Sequence, residues 1–540
     1  MGRARRVEFL CLAAAVCVAL KLVWDVSQVH DLHFDDETLY LASGVRVFHP
    51  GYPNGANGLP APDWGPLYCW WYALLHLFQR DTVRLYYLNW SALVVLGAIS
   101  FYALARAIGA SALASLLAAF LLTTSDFFEV WPYPAHFATL LLCAGLAVAA
   151  RSPTRSRALF WATGSMLVCC WVRPEFVVAA ALVVACAIFR AVRPPAPPAV
   201  RARRALALLV PLAALGALLC TTMGFPVSQQ RAFYAWGQHY AFHRVQDDHS
   251  TTSPWRSWLP FVRRDFGNAR SVAGALRANP AAFLHEVLEN AEDTPIETSR
   301  TFAPGLCLPE GVRPTLRDLQ SSGVFLAFAW AMRALWRRRR EVALSILAVA
   351  VGTAASCLGV YPRSHYLLPV VALAVCASVT QLPRIPAVSR HPGRVAIAAA
   401  VLVLLAPNLA HGWCPQTLLG MTTPAPSIEV ERTVESLRAL VLPRESRILE
   451  PGWGYAFYAG YEYAPIEEWR AGETFVDFVR RRRITAVILN DAFALDPRFG
   501  GDPTYVALRR DPEAFGFRAV DVPGTQTRIV VREGVMASGS

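Results

Sequence analysis

Charge is scarce in this chain. Only 17% of its 540 residues are Asp, Glu, Lys or Arg, while 55% are hydrophobic. Soluble domains carry about a quarter of charged residues, so an ordinary water-soluble globule is excluded. With a positive mean hydropathy, the composition is that of a polytopic membrane protein. Cysteines at CxxC spacing are also lacking. Nine of the twelve (Cys11, Cys17, Cys143, Cys169, Cys170, Cys186, Cys220, Cys357 and Cys376) lie inside apolar runs, where a thiol behaves as a small hydrophobe. Cys69, Cys307 and Cys414 fall elsewhere, and Cys307 with Cys414 could pair in an oxidising compartment. No internal repeat is found. The formal net charge of +12 comes largely from Arg, and the Arg clusters fall between apolar runs rather than on one basic face. Nucleic-acid binding is therefore a poor reading, and a positive-inside membrane topology a good one.

What is present is a series of apolar runs at about 7–29, 85–105, 110–125, 133–150, 158–172, 174–189, 205–224, 322–336, 342–360, 365–382 and 395–411. The first, with Arg3, Arg5 and Arg6 before it, resembles a signal peptide, but it continues to about Val29 with no small-residue cleavage pattern and reads as a retained span. With a cytoplasmic N-terminus the short Arg clusters all fall on one side, among them Arg151/Arg155/Arg157, Arg190–Arg204 and Arg337–Arg340. One stretch decides the parity. Leu159 to Phe189 would be roughly 47 Å as a single helix at 1.5 Å per residue, against a hydrocarbon core of about 30 Å. Arg173-Pro174 stands at its middle, and proline suits the first turn of a new helix. Two short helices are expected there.

That parity predicts an all-α polytopic bundle of about eleven transmembrane helices over 1–411, with outward loops at 30–84 and 225–320, and a small extracytoplasmic α/β domain over 412–540. In the first loop the aromatic stretch Trp64 to Phe78 is too short to cross comfortably and reads as an interfacial helix. The loop 225–320 is expected to be helical over Val272–Arg277 and Ala281–Glu289. In the tail, helices are expected over Ile428–Val441 and Thr474–Arg483. Strands are expected at Arg447–Glu450, Ala486–Leu489, Phe517–Val522 and Thr527–Arg532. The tail carries no Gly-rich phosphate loop and no metal-ligand spacing.

The chemistry is expected just after the first span, at Phe34-Asp35-Asp36-Glu37-Thr38-Leu39-Tyr40. One reading is a hydrated acidic start to a juxtamembrane helix, where carboxylates complement the helix dipole. The other is a general base at a lipid surface. There, desolvation and neighbouring like charges raise a carboxyl pKa toward values useful for taking a proton from a hydroxyl. Successive residues on a helix point about 100° apart, so the three cannot serve one atom. Asp36 is assigned as the base, with Glu37 or Asp35 in support. In the long loop, His239, His243, Asp247, Asp248 and His249 look like a ligand set, with His239 and His243 on one helical face.

A first span followed at once by Asp36-Glu37-Thr38-Leu39-Tyr40 resembles the GT-C superfamily of integral-membrane glycosyltransferases, in particular its protein O-mannosyltransferase and aminoarabinose transferase branch. Pro66-Leu67-Tyr68, Trp171-Val172-Arg173-Pro174, the turn Tyr361-Pro362-Arg363-Ser364-His365-Tyr366-Leu367-Leu368-Pro369 and the terminal α/β domain are further likenesses. That branch commonly has an Asp at the start of its fourth span, where this chain has His136. The resemblance implies a hexosyl or pentosyl transferase of the cell envelope in the inner (cytoplasmic) membrane. Its donor would be a polyprenyl-phosphate sugar and its acceptor a lipid, a glycan or a protein. The leaving phosphate gains charge in the transition state, so placed cations lower the barrier, and the forked donors of Arg suit that task. Arg363, His365 and Arg173 are the candidates. Asp126, Glu129 and His136 are candidates for an acceptor wall. No cofactor is required by this reading, although Asp35 or Asp36 with Asp126 would also suit a divalent cation. The rivals are a flippase for lipid-linked sugars and an inactive GT-C-like scaffold. Against the former, the apolar runs are nearly free of charge, whereas carriers place ionisable groups at mid-membrane depth.

Overall fold

The computed structural model describes residues 3–24, 26–28, 30–34, 36–47, 65–124, 133–192, 197–226, 229–249, 253–255, 257–302, 326, 328–382, 392–405, 428–452, 454–470, 472–494 and 499–535. In chain order its principal helices are α1 (Arg3–Leu22), α2 (Asp36–Val47), α3 (Pro66–His76), α4 (Thr82–Ile108), α5 (Ala112–Thr124), α6 (Pro134–Arg151), α7 (Arg155–Cys170), α8 (Phe176–Val192) and α9 (Pro198–Met223). They continue as α10 (Gln229–Asp247), α11 (Trp258–Phe266), α12 (Val272–Ala278), α13 (Pro280–Phe302), α14 (Arg340–Gly359), α15 (Ser364–Ser378), α16 (Pro392–Leu405) and α17 (Glu429–Ala439). Among the described residues, four helical stretches are long and apolar enough to cross a membrane: Thr82–Ile108, Pro134–Arg151, Ala205–Met223 and Arg340–Gly359. Ala112–Thr124, Phe176–Phe189, His365–Gln381 and Gly393–Leu404 are shorter apolar helices. The helical membrane class expected from composition is thus present.

By their contacts the residues fall into two units. One comprises Met1–Trp24, Asp63–Leu67 and Ser91–Thr423, and the other Asp25–Pro62, Tyr68–Trp90 and Pro424–Ser540. In the first, α1 packs on α5 and α16 through Val7, Cys11, Ala14 and Ala15 against Leu116, Ala119, Val395 and Ala399. Small residues at such contacts let helices approach closely. Lys21 ends α1 by donating to the carbonyls of Val403 (3.2 Å) and Leu404 (3.0 Å), which otherwise lack helical partners. At Gly145 on α6 a Cβ would fall 2.3 Å from that of Ser165 on α7, so only glycine permits that helix pair.

The chain between Leu159 and Phe189 breaks where proline predicted. Helix α7 stops at Cys170, α8 starts at Phe176, and the two pack together. Pro174 has no N–H to continue a helix and disfavours the α conformation at Arg173. In the long loop, α10 to α13 close around Phe233, Trp236, Tyr240, Val262, Phe266 and Ala275. Helix α12 matches the expected segment, while α13 runs well past Glu289 to Phe302.

The second unit contains a five-stranded sheet. Its strands are β1 (Arg447–Leu449), β2 (Glu462–Tyr463), β3 (Ala486–Leu489), β4 (Phe517–Asp521) and β5 (Arg528–Arg532), ordered β2-β1-β3-β5-β4. The first three are parallel, and β5 lies antiparallel to β3 and β4. Burial of Leu449, Val487, Leu489, Phe475, Phe478, Tyr505 and Val530 makes one core, with the β3 segment Ala486–Leu489 buried on both faces, as parallel strands usually are.

The contacts also place the described residues of 26–47 and 68–90 in the same unit as this sheet. Three observations explain why. The carboxylate of Asp31 accepts the N–H groups of Val430 (2.7 Å) and Glu431 (2.8 Å) at the start of α17, capping that helix across the sequence. Arg438 binds Asp81 at 2.8 Å and the carbonyl of Tyr458 at 2.6 Å. The ring of Phe34 sits edge-on to Tyr455 and stacked near Tyr458, so close to Gly454 that a Cβ there would fall 2.1 Å from it.

Because Asp31 supplies two of the N-terminal acceptors of α17, Asp31→Ala should loosen that helix by about 1–2 kcal/mol. Hydrogen exchange read over 429–439 should then accelerate roughly five- to thirty-fold, with the strand amides of β3 unchanged. Equal protection in both proteins would remove the capping role.

Candidate active site

Helix α2 opens with two carboxylates in different surroundings. Asp36 is half-buried at the first helical position. Glu37 is only 2% exposed. Its Oε1 accepts the hydroxyl of Tyr68 at 2.9 Å and that of Tyr72, both from α3, and the amide of Asn89 from α4 at 3.3 Å. Asn89 also donates to the two tyrosine oxygens, at 2.7 and 2.8 Å, and receives the indole N–H of Trp71 at 2.7 Å. Tyr68, Tyr72 and Asn89 are fully buried. Close packing permits this: at Gly44 a Cβ would meet that of Tyr72 at 2.4 Å.

Burial pushes the Glu37 carboxyl up to about 8, with the hydroxyls of Tyr72 and Tyr68 pulling it down and the charge of Asp36 pushing it further up. Glu37 is therefore largely protonated at neutral pH, and its Oε2 has no hydrogen-bond partner among the described residues. It anchors the first turn of α2, and the half-buried Asp36 is the more accessible of the two. Asp35, Asp126 and Glu129 lie outside the described residues, as do Cys307 and Cys414.

In the first unit the turn after α7 brings Arg173 to the start of α15. Arg173 is 7% exposed. Its guanidinium pairs with Glu175 at 2.5 Å and faces the rings of Tyr366 (4.8 Å) and Tyr133 (5.7 Å). His365 lies between the same two rings, its centroid 4.4 Å from each. Arg363, the N-cap of α15, rests its guanidinium on the ring of Trp255 at 4.4 Å, and no carboxylate pairs with it among the described residues. Arg173, Arg363, His239 and His136 all lie within electrostatic reach of His365. Arg231 reaches His239 and Tyr366.

The structure thus brings Arg173, Arg363 and His365, which the sequence named together for the phosphate, to His136, which it named for the acceptor. It adds His239, Arg231, Tyr133, Tyr366 and Trp255, and Glu175 is the carboxylate paired here. Burial, and then the charges of Arg363, His243 and Arg231, hold His239 well below the usual histidine range, so it is a neutral member. The ligand set read along α10 is divided. His239 stacks on Tyr361 at 5.2 Å, Asp247 pairs with Arg244 at 3.0 Å, and Asp248 with Arg264 at 2.8 Å. His243 alone turns toward α13.

No protein-family model matches the chain, and no curated protein matches it. Among solved structures it is similar to ArnT from Cupriavidus metallidurans, both bound to undecaprenyl phosphate and in the apo state. Each has a TM-score of 0.38 and 12% identity, over 98% of this chain and 99% of that one. It is also similar to the arabinofuranosyltransferase AftD from Mycobacteria, with a TM-score of 0.41 and 15% identity, over 99% of this chain and 42% of that one.

The Glu37 pocket makes a pH prediction. A carboxyl near 4.5 in the unfolded chain and about 8 in the folded one binds an extra proton on folding between those values. Stability from this group is complete below the lower value, falls as pH rises from about 4.5 to about 8, and is level above. Glu37→Gln keeps the acceptor oxygen for Tyr68, Tyr72 and Asn89 but cannot ionise. Thermal denaturation across pH 5 to 8 should therefore decline less steeply in the variant. Parallel profiles would show that Glu37 is ionised throughout.

Proposed function

We propose that this chain is a membrane glycosyltransferase that moves a sugar from a polyprenyl-phosphate donor to an acceptor hydroxyl at the outer face of the cytoplasmic membrane. The observation that carries the reading is the cationic, aromatic cluster of the first unit, in which Arg363 rests on Trp255 with no carboxylate partner among the described residues, beside a buried Arg173. Guanidinium groups held on aromatic rings are fixed before a ligand arrives and retain their donors for it. Three guanidinium groups, those of Arg173, Arg231 and Arg363, thus gather around His365, His239 and Tyr366, and such a group suits a phosphate. The sequence resemblance to the GT-C superfamily supports the same reading, as does the arginine asymmetry of the loops, which puts 190–204 in the cytoplasm.

The chemistry then divides as follows. Asp36 takes the proton of the acceptor hydroxyl as its oxygen bonds to the anomeric carbon. The bond from that carbon to the phosphate oxygen breaks, and the polyprenyl phosphate leaves with inversion. Arg363 and Arg173 bind the phosphate as its charge grows, an interaction stronger in the transition state than in the ground state. Glu37, neutral and buried, positions the turn that carries Asp36. His136 and His365 border the cationic cluster, and His365 is assigned a hydrogen bond to the phosphate. Asp126 and Glu129 are assigned to the acceptor. The acceptor is a lipid, an envelope glycan or a protein.

The test is sugar transfer in membranes or proteoliposomes supplied with native lipid-linked sugars, read as released polyprenyl phosphate. Asp36→Asn and Arg363→Gln should each lower the rate by about 10²- to 10³-fold in protein of normal abundance and melting temperature. Arg363→Lys should recover little, because one ammonium does not reproduce the fork. Unchanged turnover in Asp36→Asn would remove the base assignment, and no transfer by the wild-type chain would remove the enzyme.

A further inference from the structure

We infer that α10 and α13 together bind a divalent first-row metal ion of the zinc class on His243, Glu286 and Glu289, with Asp293 holding the far nitrogen of the histidine. The three acidic residues follow one another at intervals of three and four along α13, so they share one face of that helix. That face meets His243 of α10, which is 6% exposed. One donor atom from each of His243, Glu286 and Glu289 lies within 4.8 Å of the other two.

The distances suit a metal as well as a hydrogen bond. Nδ1 of His243 is 3.0 Å from Oε1 of Glu286 and 3.8 Å from Oε2 of Glu289. Donors placed tetrahedrally at about 2.0–2.1 Å from zinc stand about 3.3 Å apart, between the two observed separations. The other nitrogen, Nε2, is 3.3 Å from Oδ2 of Asp293. A ligating imidazole commonly gives its second N–H to a carboxylate, which fixes the tautomer and the ring plane. Here that carboxylate is on the opposite side of the ring from the two glutamates.

An independent observation points the same way. Glu286 is 1% exposed, and its Oε2 has no hydrogen-bond partner among the described residues. A buried carboxylate oxygen left bare is costly, and coordination through it supplies the missing partner. Glu289 also carries Arg244 on Oε2 and has His285 at 3.5 Å from Oε1, but each carboxylate oxygen has two lone-pair sites, so a cation is not shut out. The neighbouring guanidinium of Arg244 does not offset Glu286, Glu289 and Asp293 in full, because it is shared with Asp247. Nitrogen and oxygen donors of this mix suit zinc, with water completing the shell.

Such an ion would clasp α10 to α13. The ring of His243 lies 5.2 Å from that of Tyr361, and Tyr361 stacks on His239. The clasp would therefore steady the aromatic floor beside Arg363. The inference stands whether or not the transferase reading holds.

The test uses the full chain in detergent, stripped with EDTA, desalted and titrated with Zn2+ against a chromophoric chelator. The wild-type protein should take up one equivalent. Glu286→Gln and His243→Gln should each bind it at least tenfold more weakly, Asp293→Asn about 10- to 100-fold more weakly, and Asp248→Asn as the wild type does. Melting temperatures in EDTA establish that each variant is folded, and the wild-type titration decides independently of them. No stoichiometric zinc on the wild-type chain overturns the inference. So do folded Glu286→Gln and His243→Gln proteins with unaltered affinity, and an Asp248→Asn protein weakened as much as they are.

Discussion

A charge withdrawn from water must find partners at once, and in a chain this poor in charge that requirement shapes each place where charges collect. Arg173 is the clearest instance. Its side chain is almost wholly buried, with Glu175 two residues away and two tyrosine rings against it. Losing the partner of a buried ion typically costs about 3–5 kcal/mol, whereas a desolvated cation–π contact contributes about 2 kcal/mol. The ion pair is therefore the larger effect and the rings the smaller. Because only Pro174 stands between the two residues, the pair forms locally, and α15 needs only to bring Tyr366 and His365 to it.

The same requirement, met by different means, separates the roles of the two acidic residues on α2. Glu37 meets it by staying protonated and accepting three donors. Asp36, one residue earlier, keeps a face toward solvent. A neutral buried carboxyl is a good anchor and a poor base. A half-exposed carboxylate can do the converse. Arg363 meets it incompletely, since an indole ring beneath a guanidinium disperses charge without neutralising it. That residual charge is what an anionic ligand would complete, and its orientation is fixed in advance, so little reorganisation opposes binding.

Much of this was legible in the residues. The split at Arg173-Pro174 follows from proline alone, and the alternation in Phe517–Asp521 and Arg528–Arg532 marked two strands. Arg363, His365 and Arg173 were recognisable as a set because each flanks an apolar run. The two-residue strand Glu462–Tyr463 was not legible, because it is too short for any period to show. Nor was the company of Glu37. Asn89 sits inside an otherwise apolar run, where a lone amide is costly unless paired, and that was the available signal. The ligand set along α10 misled in part. Helical spacing correctly put His239 and His243 on one face, but their partners include Tyr361 and the carboxylates of α13, more than forty residues away, which no local pattern contains. The boundary at 411 followed the hydropathy. The contacts that join 26–47 and 68–90 to the sheet's unit depend on Asp31, Asp81 and Phe34, single residues with no periodic signature.

The central claim is that the cluster around Arg363 binds the phosphate of a lipid-linked sugar. A density map of the chain in lipid nanodiscs with polyprenyl phosphate bound tests it most directly. The account predicts the phosphate within hydrogen-bond distance of the Arg363 guanidinium, with Arg173 beside it. A phosphate resolved elsewhere, with Arg363 still resting on Trp255 and no anion near it, would contradict it.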